Sequence, residues 1–178
     1  ALNLRAMVAF SGKKVVILDL DLRKPKLAER LSLRYEKGFS HSAVGNASIN
    51  EIIYPVEGNP NLSFIPSGGI PPNPSELLTT DMTKDLFDYL KENFDYIMID
   101  SAPCIVTDAR LLSKYADLTL FLVRLGTTYK DVLKQIQELY QQEKFPNLNL
   151  VVNDLNRKKG KYYHSYYNNK KDYGYFDK

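Results

Sequence analysis

The chain has 178 residues, of which 44% are hydrophobic and 25% are charged, and this composition is typical of a one-domain globular protein that can bury a core. No apolar run approaches the roughly 20 residues that cross a bilayer, so these residues contain no membrane-spanning helix and are expected to be soluble. The single cysteine, Cys104, excludes an internal disulfide and fits a reducing compartment.

The net charge of +3 is unevenly distributed and argues against nucleic-acid binding. Residues 156–178 contain seven basic and two acidic side chains, so this tail carries +5 and residues 1–155 carry −2. A body that grips a phosphate backbone is basic rather than slightly acidic. We interpret the basic tail as solvated, with contact to anionic lipid or to a partner as the alternative.

In chain order, the first predicted element is a helix over residues 2–11, which ends at Gly12 because glycine accepts the left-handed conformation of a helix C-cap. A buried strand is predicted at Val15–Leu18, which is apolar on both faces. Further strands are predicted at Leu62–Ile65, Tyr96–Ile99, Leu118–Val123 and Leu148–Val152. Helices are predicted from about Asp81 to Asn93 and from about Thr128 to Lys144, and Asn73 and Pro74 form a helix start.

Strands that alternate with helices predict an α/β fold with a doubly wound, mostly parallel sheet flanked by helices. The apolar periodicity stops near Asn156, where Lys, Asn, Gly and Tyr become frequent. We therefore expect a core over residues 1–155 and a flexible, tyrosine-rich tail over residues 156–178.

Two of the predicted strands end in acid, at the carboxyl ends where parallel sheets place their ligand sites. Asp19 and Asp21 follow the first strand, and two such side chains can hold a hydrated Mg²⁺ or divide metal binding and proton transfer between them. Asp100 follows Tyr96–Ile99, an arrangement typical of the acid that holds Mg²⁺ through water in P-loop proteins. Each signal alone is also compatible with a solvated turn, but on two strands of one sheet they support each other.

Five segments, in order along the chain, resemble the bacterial tyrosine kinases. The Walker A′ motif of that family is similar to VVILDLDLRKPKL at residues 15–27, and its Walker B motif is similar to YIMIDSAP at residues 96–103. Its proline-rich segment is similar to IPSGGIPPNPSELL at residues 65–78, and its last strand is similar to VVNDLN at residues 151–156. Six of the thirteen tyrosines lie within fourteen residues of the tail, as in the family's C-terminal tyrosine cluster.

The resemblance implies a P-loop NTPase-type fold related to the partition and septum-positioning ATPases. It implies an autokinase that uses ATP and Mg²⁺, with Asp21 as the general base and with Asp19 and Asp100 holding Mg²⁺ through water. Arg23 is expected either to face phosphate or to pair with a nearby acid. Asn153 resembles an adenine-contacting asparagine, with a capping role as the alternative.

The same resemblance implies that the tail tyrosines accept phosphate from a neighbouring subunit, with a recognition tail as the alternative. These tyrosines are Tyr162, Tyr163, Tyr166, Tyr167, Tyr173 and Tyr175. The implied partners are further copies of the chain, a membrane-anchored polysaccharide co-polymerase segment, fused or separate, and a cognate tyrosine phosphatase. The implied role is control of capsular or exopolysaccharide synthesis and export at the cytoplasmic face of the bacterial inner membrane.

The phosphate loop of the family, G-x-x-x-x-G-K-[ST], does not occur in these 178 residues. In the family it lies, with the first strand of the sheet, just before the helix matched here by residues 1–4. We therefore expect both upstream of Ala1, and a degenerate paralogue is the alternative. The 178 residues by themselves are expected to bind ATP poorly or not at all and to be inactive, because the backbone N–H groups and the lysine of that loop hold the phosphates.

Two other functions fit parts of this pattern. A partition-type ATPase switch would share the strand-end acids but has no need of a tyrosine cluster, which favours the autokinase. A catalytically silent scaffold becomes the better interpretation only if the natural protein lacks the phosphate loop.

Overall fold

The computed structural model describes residues 12–102 and 107–154. The chain divides into two compact units, with the boundary between Asp117 and Leu118. The predicted helix over residues 2–11 and the predicted tail from residue 156 lie outside the described residues, and so does the predicted boundary between core and tail.

The first unit contains a four-stranded sheet and short helices, with one longer helix. Its elements are β1 (Val15–Leu20), α1 (Leu27–Arg30), α2 (Phe39–Ala43), a 3₁₀ helix (Ile49–Ile52), β2 (Tyr54–Val56), β3 (Asn59–Ile65), α3 (Pro74–Leu77), α4 (Asp81–Asn93), β4 (Tyr96–Ser101) and α5 (Thr107–Ser113).

The strand order is β2-β3-β1-β4, and β1 runs parallel to both of its neighbours. Val15 pairs with Leu62 of β3 and with Tyr96 of β4, so the carboxyl ends of all three strands lie at the same edge of the sheet. The short strand β2 is antiparallel to β3 and was not predicted from the sequence. Its central residue is Pro55, which is tolerated because a sheet edge leaves an N–H position unpaired.

Strand β1 is buried on both faces, as its continuous apolar sequence predicts. Val16, Leu18 and Leu20 belong to a core cluster that includes Phe87 and Leu90 of α4. The alternate residues, Val15 and Ile17, belong to a second cluster, which contains Leu27, Ala28, Leu62 and Phe64. Apolar cores on opposite faces of one mostly parallel sheet confirm the predicted doubly wound α/β fold.

The second unit is a parallel pair of strands connected through a helix. It contains β5 (Thr119–Arg124), α6 (Lys130–Gln141) and β6 (Leu148–Asn153), and the strands pair from Thr119 with Leu148 to Arg124 with Asn153. The helix is shorter at both ends than predicted. On its predicted apolar face Ile136 is buried, whereas Tyr129, at its N-cap, and Tyr140 are exposed.

Within residues 12–102 and 107–154, no helix has both the length and the apolar character needed to cross a membrane.

Candidate active site

Two of the predicted site residues lie side by side at the carboxyl edge of the sheet. Asp19 of β1 and Asp100 of β4 are partners in the strand register, as Leu18 and Ile99 are one residue earlier. The two strands are parallel and adjacent, and their pairing begins with Val15 opposite Tyr96, so four residues later Asp19 lies opposite Asp100. The structure therefore brings together the acids of the two segments that resemble Walker A′ and Walker B motifs.

Asp19 is almost completely buried, with 1% of its surface exposed. Its Oδ2 accepts a hydrogen bond of 3.1 Å from the Leu27 N–H, whereas its Oδ1 has no hydrogen-bond partner among the described residues. Burial raises the pKa of Asp19 from 3.8 to about 6, and repulsion from Asp100 and Asp21 adds to this rise. The Leu27 hydrogen bond and the nearby Asp21 N–H oppose it. A buried carboxylate oxygen without a donor needs an explanation, and a bound cation with its water supplies one.

Asp21 lies just beyond the end of β1 and is half-buried. The Lys24 N–H donates to both the main-chain oxygen and the Oδ1 of Asp21, each at 3.2 Å, which closes a turn stabilised by the aspartate side chain. Asp19 and Asp21 are two residues apart but occupy different environments, one enclosed and one accessible. Carboxylates in such contrasting environments can take different chemical roles.

Arg23 forms an ion pair with Asp108, which is one of its two predicted alternatives. Its Nε donates to Asp108 Oδ2 at 2.7 Å and its Nη2 donates to Asp108 Oδ1 at 3.3 Å. The guanidinium lowers the pKa of Asp108, and the Ser75 hydroxyl, which donates to Asp108 Oδ1 at 2.6 Å, lowers it further. The structure thus shows the pairing with an acid, whereas contact with phosphate stays a prediction.

Asp108 and Ser75 are site residues that the sequence did not predict. Asp108 lies 85 positions from Arg23 and 33 from Ser75, and no local pattern connects residues so far apart. Asn73 and Pro74 do mark the start of α3, as predicted, but the Asn73 side chain donates to Glu76 Oε2 at 3.0 Å rather than capping a backbone N–H.

Asn153 ends strand β6 in the second unit, and its side chain folds back onto the backbone. Its Oδ1 accepts from the Asp154 N–H at 2.8 Å, and Asp154 in turn pairs with Arg124 at 2.8 Å. An N-cap side chain accepts from a backbone N–H two or three residues further on, so this bond to the next residue is not a helix cap, and both predicted roles of Asn153 stay predictions. The six tail tyrosines lie outside the described residues.

The strand-end acids fit a Mg²⁺ ion held partly through water. Among residues 12–102 and 107–154, no group of three or more His, Cys, Asp and Glu side chains is arranged to enclose a metal. Mg²⁺ does not require one, since it commonly binds one or two carboxylates and retains several waters or substrate phosphate oxygens. Asp19 and Asp100, with the unpartnered Oδ1 of Asp19, are such a pair.

Comparison with known proteins gives this site a family context. Residues 1–142 match a family described as AAA domain. The tyrosine-protein kinase ptk of Acinetobacter johnsonii is 32% identical over 161 residues, which are 90% of this chain and 22% of that protein. The tyrosine-protein kinase wzc of Salmonella typhimurium is 29% identical over 177 residues, which are 98% of this chain and 23% of that protein. The chain thus spans about a fifth of the length of these curated relatives.

Solved structures of kinase domains share the fold. The chimerical protein CapA2B2 is 33% identical with a TM-score of 0.79, covering 85% of this chain and 67% of that one. The kinase domain of the Escherichia coli tyrosine kinase ETK is 29% identical with a TM-score of 0.78, covering 89% of this chain and 63% of that one. The septum site-determining protein MinD of Pyrococcus horikoshii, complexed with Mg-ADP, is 18% identical with a TM-score of 0.69 over 88% of this chain and 64% of that one, which supports the fold alone.

This is the P-loop NTPase type of fold, whose members bind nucleotides. Asp19 and Asp100 are paired across β1 and β4 of this sheet, and the two curated relatives named above, which match along most of the chain, are tyrosine-protein kinases. The chain therefore belongs to the AAA domain family and, within it, to the kinase domains of the bacterial tyrosine-protein kinases.

Proposed function

We propose that this chain is the catalytic domain of a protein-tyrosine autokinase, which transfers the γ-phosphate of ATP to tyrosines of its own C-terminal cluster. The observation that carries the proposal is the pairing of Asp19 with Asp100 at the carboxyl edge of the sheet, with the accessible Asp21 two residues beyond. The similarity to tyrosine-protein kinases supports the same reaction.

Asp21 is the proposed general base. It takes the phenolic proton of the acceptor tyrosine as the tyrosine oxygen bonds to the γ-phosphorus, and the bond from that phosphorus to the oxygen bridging it to the β-phosphate breaks, which releases ADP. A base must be reached by the incoming hydroxyl. Half-buried Asp21 meets that condition, whereas Asp19, enclosed and bonded to the Leu27 N–H, does not.

Asp19 and Asp100 are the proposed Mg²⁺-holding pair. The cation, when bound with the nucleotide, neutralises negative charge on the phosphates. The protein's contribution is to keep the buried Asp19 beside the half-buried Asp100. Asp19 is buried despite the repulsion from Asp100, which is the arrangement expected where a cation completes the site.

The remaining roles extend this proposal. Arg23 and Asn153 contact the nucleotide, and the phosphoacceptors are the tail tyrosines Tyr162, Tyr163, Tyr166, Tyr167, Tyr173 and Tyr175. The tail of one subunit enters the site of the next in a homo-oligomer. A membrane-anchored polysaccharide co-polymerase segment, fused or separate, and a cognate tyrosine phosphatase are the proposed partners, and control of capsular or exopolysaccharide synthesis is the proposed role.

The substitution Asp21→Asn in the full natural protein tests the proposal. We expect phosphotyrosine formation from ATP to fall by about 10²–10⁴-fold, because a positioned base is lost. ATP binding should remain, because Asp21 acts on the acceptor rather than on the nucleotide. The measurements are single-turnover phosphorylation with labelled ATP and nucleotide binding by titration calorimetry, with Asp88→Asn on the exposed side of α4 as the control.

Three results would contradict the assignments in different ways. Unchanged phosphorylation would remove Asp21 from the mechanism. Loss of ATP binding would mark Asp21 as a metal ligand instead. Hydrolysis of ATP by the wild-type protein without any phosphotyrosine would replace the autokinase by a partition-type ATPase switch.

A further inference from the structure

Three connections of the sheet meet at the side chain of Asp108. Arg23 lies in the connection after β1, Ser75 in the connection after β3, and Asp108 in the first turn of α5, after β4. All three follow carboxyl ends of parallel strands, the edge that carries Asp19 and Asp100. One carboxylate therefore joins three segments, which also share a hydrophobic core through Leu22, Leu78 and Leu112.

The contacts of Asp108 are those of a strong, enclosed interaction. Its side chain is 2% exposed, and it accepts two bonds from Arg23 and one from Ser75. The Arg23 side chain is 48% exposed, so the fork of its guanidinium reaches inward from the surface to a buried acid. Removing one partner of such a pair leaves the other without compensation, which is the costly case for charge pairs.

Arg23 is directly connected to the proposed base. The turn closed by Asp21 and the Lys24 N–H contains Arg23 as its third residue. Anchoring Arg23 therefore anchors the turn whose first residue is Asp21. A catalytic group displaced by about 1 Å can lose on the order of 10²-fold in rate, so an anchor of this kind has a kinetic consequence.

We propose that Asp108 is a positioning residue, which holds the Asp21 turn in its working geometry through Arg23 and couples that turn to α3 through Ser75. The proposal rests on the proposed function, in which Asp21 is the base. Asp108 does not touch the nucleotide or the acceptor in this scheme; it acts only through Arg23. Replacing Asp108 should therefore have no further effect on the rate once Arg23 has been replaced.

The kinetic test uses Asp108→Asn, Arg23→Gln and the double variant in the full natural protein. Each single variant is expected to lower kcat for autophosphorylation by about 10–10²-fold. The KM for ATP should change little in Asp108→Asn, whereas Arg23→Gln also removes the proposed nucleotide contact of Arg23 and should raise that KM. The double variant should be no slower than Arg23→Gln alone, because Asp108 has nothing left to act through. Asp88→Asn is the matched control: it makes the same change at an exposed aspartate in the same unit and should retain wild-type kcat.

A second measurement follows the turn itself without using kinase activity. Hydrogen–deuterium exchange of the peptide containing residues 21–26 should be faster in Asp108→Asn than in the wild type and in Asp88→Asn, since the Lys24 N–H loses its protected turn. Exchange in β1 should stay slow, which shows that the variant is folded.

The outcomes separate this inference from the proposed function. An inactive wild-type protein with faster exchange at residues 21–26 in Asp108→Asn would reject the autokinase and keep Asp108 as the anchor of the turn. An active wild type with unchanged kcat in Asp108→Asn would overturn the inference. The inference would also be overturned if the losses of kcat in the two single variants added up in the double variant. It would be overturned again if the loss of kcat in Asp108→Asn were no larger than the loss of folded protein measured by circular dichroism.

Discussion

Asp19 shows how a single residue can be placed against its own electrostatic preference. Every other residue of β1 is apolar and buried, and Asp19 shares that burial with 1% of its surface exposed. An isolated carboxylate would avoid this position, and its pKa of about 6 records the unfavourable environment of the charged form. In the proposed site, the buried Asp19 lowers the stability of the cation-free chain, and such a cost is common for functional groups.

The pH dependence of stability follows from that shift. The pKa of Asp19 is raised from 3.8 to about 6, so the folded chain keeps a proton that the unfolded chain has released. The free energy of unfolding should therefore fall as the pH rises through this window, by up to about 3 kcal/mol, and level off above it. Denaturant titrations between about pH 4 and pH 7, in chelator to exclude Mg²⁺, measure the slope.

The substitution Asp19→Asn isolates this contribution from that of other acids. The variant cannot titrate at position 19, so its stability should lack the fall with rising pH. Glu51 contributes in the opposite direction, because Lys37 lowers its pKa to about 2, and that contribution is the same in both proteins. If the unfolding free energies of wild type and variant changed with pH in parallel, Asp19 would not be protonated near pH 5 in the folded chain.

At the scale of elements, the start of α2 is joined to the connection after β3 through main-chain groups. The Phe39 N–H donates to the Pro66 carbonyl at 2.8 Å, and the Ser40 N–H donates to the Ser67 carbonyl at 2.9 Å. Gly38 makes this approach possible, because a Cβ there would lie 2.5 Å from the Pro66 oxygen and closer still to the Gly68 nitrogen. The backbone, rather than side chains, thus fixes the beginning of the proline-rich segment.

We expect Gly38→Ala to destabilise the chain by roughly 1–3 kcal/mol, since the clash is with backbone that cannot move without breaking these bonds. Gly69→Ala is the matched control. A Cβ at Gly69 meets nothing within 4 Å, so this variant should be about as stable as the wild type. Thermal and denaturant unfolding of the two variants measure the difference, and equal stabilities would mean that the two segments are not in contact in solution.

At the scale of the whole molecule, the charge of the tail predicts how phosphorylation affects assembly. The tail carries +5, and each phosphotyrosine adds about −1.5 to −2, so roughly three phosphates cancel its charge. If the unmodified tail docks on a neighbouring site that contains Asp19, Asp21 and Asp100, added phosphates should weaken docking in steps. Added salt should weaken it too, since the Debye length is about 8 Å at physiological ionic strength.

Native mass spectrometry of the full natural protein, sorted by phosphate count at low and high salt, measures this dependence. The oligomer mass should fall gradually as phosphates accumulate. A mass that does not depend on phosphate count would reject docking by charge. A change produced entirely by one tyrosine would replace it with a site-specific switch.

The sequence by itself determined the elements whose signals are local. Val15–Leu18 is short, apolar on both faces and rich in β-branched residues, which favours an interior strand, so β1 was predictable. Helix α4 was predicted at its observed bounds because its apolar positions repeat at helical spacing, and the structure adds that Thr80 caps its first turn. The acids that end β1 and β4 were visible for the same reason, since each directly follows an apolar run.

Tertiary structure alone decided how distant residues combine. The register that sets Asp19 beside Asp100 depends on which strands are neighbours, and no local pattern contains that information. The edge strand β2 was missed because three residues with a central proline give no periodic signal. The acid that pairs with Arg23 could not be predicted either. Ion pairs form between side chains that are close in space, and Arg23 and Asp108 become close only when the chain folds.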